Sequence, residues 1–74
     1  MGTMTALRRL RGRAGLSQRQ LAVRAGLNVT TIVKLETGRT TTPQAATIGA
    51  LAKAFGISFE ELWDLLQADE EAAS

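Results

Sequence analysis

A chain of 74 residues makes one small domain, and an enclosed pocket for a large substrate would consume most of its core, so function is expected on its surface. It holds no cysteine and no histidine, which excludes disulfides, the usual zinc-finger ligands and the commonest general acid-base side chain. The net charge of +2 conceals a division: before Thr40 eight basic residues stand against Glu36 alone, whereas from Thr40 onward Lys53 stands against six carboxylates. One half suits a polyanion and the other does not.

Leu7, Leu10 and Ala14 recur at helical spacing with arginines between them, and Gly15 stops the pattern, which predicts a first helix from Thr5 to Ala14, slightly weakened by Gly12. Ser17 and Gln20 form a capping box ahead of Leu21 and Ala22, so a second helix runs from Gln18 to Ala25 and ends at Gly26. Asn28 caps a third, Val29 to Thr37, with Ile32 and Leu35 as its buried stripe and Gly38 suited to a left-handed C-terminal position. Three threonines and the only proline read as a loop from Arg39 to Pro43, entering a fourth helix that buries Ile48, Leu51, Ala52 and Phe55. Gly56 and Ile57 turn the chain. Ser58 and Glu61 then make a second capping box for a fifth helix carrying Phe59, Leu62, Trp63, Leu65 and Leu66.

No strand-period segment occurs, so the expected class is all-α, a bundle of five short helices. Residues 1–4 are expected as a flexible N-terminus, 5–67 as the domain and 68–74 as an acidic tail that frays. The longest apolar-leaning run, Ala45 to Ile57, is broken by Thr47 and Lys53 and is too short to span a bilayer. The N-terminus lacks the apolar core of a signal peptide, so a cytoplasmic protein is expected, with no membrane, cofactor or metal.

The second and third helices carry the chemistry. A steep crossing needs a small residue at the point of contact, which Ala22 supplies, and a sharp turn needs a residue comfortable at positive φ, which Gly26 supplies. Leu21, Ala25, Leu27, Ile32 and Leu35 then face inward. Asn28, Val29, Thr30, Thr31 and Lys34 are left outside near the start of the third helix, short or flexible enough to meet base edges.

The fragments LRRLR (Leu7 to Arg11), GLSQRQLA (Gly15 to Ala22), the Gly26-Leu27 turn, IVKLETG (Ile32 to Gly38), LAKAFGIS (Leu51 to Ser58) and FEELW (Phe59 to Trp63) together resemble helix-turn-helix regulators of the phage repressor and Cro type, the Xre family. The resemblance spans about residues 5 to 66. It implies a compact five-helix, lambda-repressor-like domain that binds double-stranded DNA, lays its third helix in the major groove and acts as a homodimer on a two-fold symmetric operator, as a repressor. It assigns Gln18, with Arg19 beside it, to a phosphate at the start of the second helix. It places Asn28, Val29, Thr30, Thr31 and Lys34 at base-facing positions, where valine and threonine methyls meet thymine methyls, Asn28 caps its helix or pairs with adenine, and Lys34 reaches guanine or phosphate. Repressors with long glutamines at these places differ here. Arg39 and Thr40 to Thr42 hold phosphates or are solvated loop. Arg11 and Glu36 correspond to a partly buried pair bracing the first helix against the end of the third, and Arg8, Arg9, Arg13 and Arg24 to a general positive surface.

Five large apolar residues within eight positions of the fifth helix cover more than one face, so Trp63, with Leu66 or Leu65, is expected at a dimer interface. Two other readings compete. An RNA- or membrane-binding basic module lacks exposed aromatics for stacking and a helix with a strongly apolar exposed face. A protein-interaction module, antitoxin or adaptor, would hold a protein partner on the fifth helix. An enzyme is not expected, since the carboxylates have no convergent base, nucleophile or metal set.

Overall fold

The computed structural model describes residues 5–37 and 44–73, with side chains for 6–37 and 44–68. Its helices are α1 (Thr5–Arg13), α2 (Gln18–Ala25), α3 (Val29–Glu36), α4 (Ala45–Phe55) and α5 (Phe59–Ala73), and the described residues contain no strand. The fold is all-α. Each helix is short enough to depend on tertiary packing, and each sends apolar side chains to one core: Leu7 from α1, Leu21 and Ala22 from α2, Ile32 and Leu35 from α3, Ile48, Leu51 and Ala52 from α4, Leu62 and Leu66 from α5. The α2–α3 and α4–α5 hairpins pack internally, α2 lies against α4, and α1 closes the bundle against α5 and α3. None of the described helices is long and apolar enough to cross a membrane.

Local chemistry sets the helix ends. Ser17 Oγ accepts from the Gln20 amide at 3.0 Å while Gln20 Oε1 accepts from the Ser17 amide at 2.8 Å, a complete capping box. At the other end of α2, Gly26 adopts φ 69°, ψ 32°, and the Leu27 N–H reaches back to the Ala22 carbonyl at 2.8 Å, which satisfies an orphan carbonyl and swings the chain into α3. Ser58 Oγ likewise accepts from the Glu61 amide at 3.0 Å to start α5.

Expectations change at the edges, beginning with α1, which ends at Arg13 rather than Ala14. α3 ends one residue early at Glu36, with Thr37 as its C-cap, its hydroxyl donating to the Val33 carbonyl at 2.7 Å; Gly38 and Pro43 lie outside the described residues. Phe55 is half-buried rather than fully buried. The helical backbone of α5 continues from Ala68 through Ala73. Alanine and glutamate, which dominate this segment, are strong helix formers.

Candidate nucleic-acid interface

The turn made by Gly26, Leu27 and Asn28 joins α2 to α3, and Asn28 Oδ1 accepts from the Thr30 amide at 2.9 Å, fixing where α3 begins. From that origin the helical period decides the rest. Ile32, Leu35 and Glu36 are buried, Val29 and Thr31 are half-buried, and Asn28, Thr30, Val33, Lys34 and Thr37 are exposed. The Asn28 oxygen is therefore committed to the cap, which leaves its amide N–H groups for a partner. Val33 was not among the residues expected to face outward. In the run Thr31 to Leu35 its apolar character imitates a core position, and only the orientation of α3 separates it from Ile32.

Behind this surface Glu36 is fully buried. Arg11 Nε donates to Glu36 Oε2 at 2.6 Å and Arg11 Nη2 to Oε1 at 3.0 Å, while Arg11 Nη1 donates to the Leu16 carbonyl at 3.1 Å. Gln18 Nε2 donates to Glu36 Oε1 at 3.1 Å, and Arg8 Nε stands 3.8 Å from the same oxygen. Burial pushes the Glu36 carboxyl upward, but the hydrogen bonds from Arg11 and Gln18 and the charges of Arg11 and Arg8 outweigh it and hold the group below its ordinary range. The Arg11 guanidinium is raised by its bond to Glu36 against an opposing effect of burial. One carboxylate thus ties α1 and α2 to α3, and Arg11 adds the α1–α2 turn.

This changes the account of two residues. Gln18 is half-buried and bonded to Glu36, so it does not lie free on the outer surface. Arg8, read from the sequence as general positive surface, turns toward Glu36 because it sits one helical turn before Arg11 on the same face of α1. Neither contact has a local signature, since 18 residues separate Gln18 from Glu36. Arg19 is exposed beside Gln18, and Arg39 and Thr40 lie outside the described residues.

A family model described as a helix-turn-helix domain matches residues 5–66, which includes every element of this surface. The chain belongs to the helix-turn-helix domain family. It is 43% identical over 56 residues to an uncharacterized HTH-type transcriptional regulator, RghRB, of Bacillus subtilis (strain 168). That match covers 76% of this chain but 40% of the relative, so the chain spans about two fifths of the length of that protein. No solved structure matches it significantly.

The helix-turn-helix pair leaves α5 on another side of the bundle, against α4 and α1. Leu62 and Leu66, four residues apart, take its inward face, and Leu66 is only 6% exposed. Leu66 is thus a core residue and not one of an exposed pair. Trp63 and Leu65, each 39% exposed, remain outside, and the Phe59 ring stacks on Trp63 with centroids 6.1 Å apart and planes 10° from parallel.

Proposed function

We propose that this domain is a transcription regulator of the phage repressor and Cro (Xre) type, a repressor that reads double-stranded DNA by laying α3 in the major groove. The observation that carries the reading is the outward surface of the α2–α3 pair. Asn28, Thr30 and Lys34 stand exposed at the start and middle of α3, in the basic half of the chain, and the one acidic residue of that half is withdrawn into the interior and neutralised by Arg11. A carboxylate on this surface would repel phosphate; burying it leaves a wholly cationic and neutral face. Gln18, Arg19 and the segment with Arg39 and Thr40 hold phosphates, while Asn28, Val29, Thr30, Thr31 and Lys34 meet bases. Selection of bound duplexes from a random pool tests this: a defined motif with salt-dependent affinity supports it, and enrichment of no sequence removes it.

Homodimer assembly draws support from α5, where stacked Phe59 and Trp63 form an exposed apolar ridge and Leu65 lies exposed on the opposite flank of the helix. A two-fold axis there sets two α3 helices about one DNA turn, roughly 34 Å, apart. The same ridge suits the rival reading of an antitoxin or adaptor that holds a different protein. Sedimentation of the purified protein, alone and with a selected duplex, distinguishes the two.

A further inference from the structure

We propose that Glu36 is a positioning residue for DNA binding: it holds the Gln18 carboxamide so that one N–H is spent inward on the carboxylate and the other is aimed at a DNA phosphate. The inference rests on the proposed DNA interface and concerns how that interface is made.

The geometry fixes the amide's orientation by chemistry. An ionised carboxylate only accepts hydrogen bonds, and Glu36 is held ionised by a two-pronged grip from Arg11. The Gln18 group 3.1 Å from Oε1 must therefore be its NH2, not its oxygen. A planar carboxamide carries two N–H bonds at roughly 120° to each other, so committing one of them to Glu36 fixes the direction of the second. Gln18 is the first residue of α2, where backbone amides at the helix end already favour an anion. A free glutamine would present oxygen and nitrogen to a phosphate about equally, and the oxygen would repel it. Preorganisation by Glu36 removes that alternative before DNA arrives.

Glu36→Gln isolates the effect. Its side chain keeps the size of glutamate but turns one acceptor into a donor. If the oxygen stays on Arg11 Nε, the new NH2 faces Gln18, whose amide must flip to accept from it with its oxygen, so an oxygen replaces the N–H that was aimed at the phosphate. The probe is a mixed-sequence duplex of about 25 base pairs at low salt, where non-specific binding through phosphates dominates. Gln18→Ala is expected to weaken binding about tenfold, the scale of one lost charge-assisted hydrogen bond. Glu36→Gln is expected to weaken it by a similar factor, and the double variant by no more than either alone, with folding of each checked by circular dichroism. Factors that multiply in the double variant overturn the positioning role. Because Glu36→Gln can unfold the domain, the wild-type protein provides a second test by NMR: in the free state one of the two Gln18 side-chain protons is protected from exchange, and on adding duplex the other shifts. Two equally exposed, averaged protons overturn the proposal without reference to any variant. A wild-type protein that shows the protected proton but binds no duplex overturns the DNA interface instead.

Discussion

Arg11 holds Glu36 side-on, Nε to Oε2 at 2.6 Å and Nη2 to Oε1 at 3.0 Å, across 25 residues of sequence. Glu36 has no exposure and the Arg11 side chain little, so removing one partner strands a buried charge. Arg11→Ala or Glu36→Ala is expected to cost about 3 to 5 kcal/mol, much of the stability of so small a domain. Replacing both by a well-packed apolar pair, Arg11→Met with Glu36→Leu, is expected to cost far less, because no unpaired charge remains. Urea unfolding of the three variants checks the order.

The same pair makes stability depend on acid. The folded Glu36 carboxyl titrates below its ordinary value of 4.5. Above that pH it is ionised in both folded and unfolded chains and its contribution is fully present. As pH falls below 4.5 the unfolded chain takes the proton first, and stability declines until the folded carboxyl is protonated too. Thermal melts between about pH 3 and pH 7 are expected to show a shallower acid decline for Glu36→Gln than for wild type. Parallel declines would mean that Glu36 is not the group responsible.

Two glycines predict opposite signs for one substitution. Gly12 lies within α1, exposed, with nothing within 4 Å of an added Cβ, so Gly12→Ala is expected to stabilise by about 0.5 to 1 kcal/mol. Gly26 has equal space but φ of 69°, so Gly26→Ala is expected to destabilise by about 1 kcal/mol or more and to loosen the angle between α2 and α3. Denaturant midpoints at unchanged slope would measure both.

On α3, reading and holding separate. Thr30→Ala is expected to change base preference at one position by ~1 to 3 kcal/mol while leaving mean affinity nearly intact. Lys34→Ala is expected to weaken binding to every duplex and, where it holds a phosphate, to reduce the salt slope by about one. Titrations against selected and scrambled duplexes at several salt concentrations tell these patterns apart. Uniform weakening by Thr30→Ala would take that residue out of base reading.

Trp63 is the sole tryptophan, so its fluorescence reports on the ridge of α5 directly. Dimerisation there is expected to shift its emission to the blue with rising concentration, and Trp63→Ala to cost ~2 kcal/mol or more of association free energy. A protein that sediments as a monomer at high concentration and on its selected duplex excludes the dimer and leaves the ridge to another partner.

Local chemistry in the chain was enough to place the helices. A capping box, a left-handed glycine and apolar residues three and four apart act within one or two turns, so Ser17 with Gln20, Gly26 and the stripe of Ile32 and Leu35 could be read directly. The uneven charge pointed to a polyanion by the same route. What tertiary structure alone decided is which of several equivalent side chains meets a distant partner. Leu65 and Leu66 are chemically identical neighbours, yet a rotation of 100° along α5 buries one in the core and exposes the other. Only the packing of α1 and α2 against α3 brings the exposed Arg8 and the half-buried Gln18 to Glu36. A hydrogen bond across 18 residues leaves no periodic trace in sequence, because its geometry is set by how three helices pack and not by the residues between its ends.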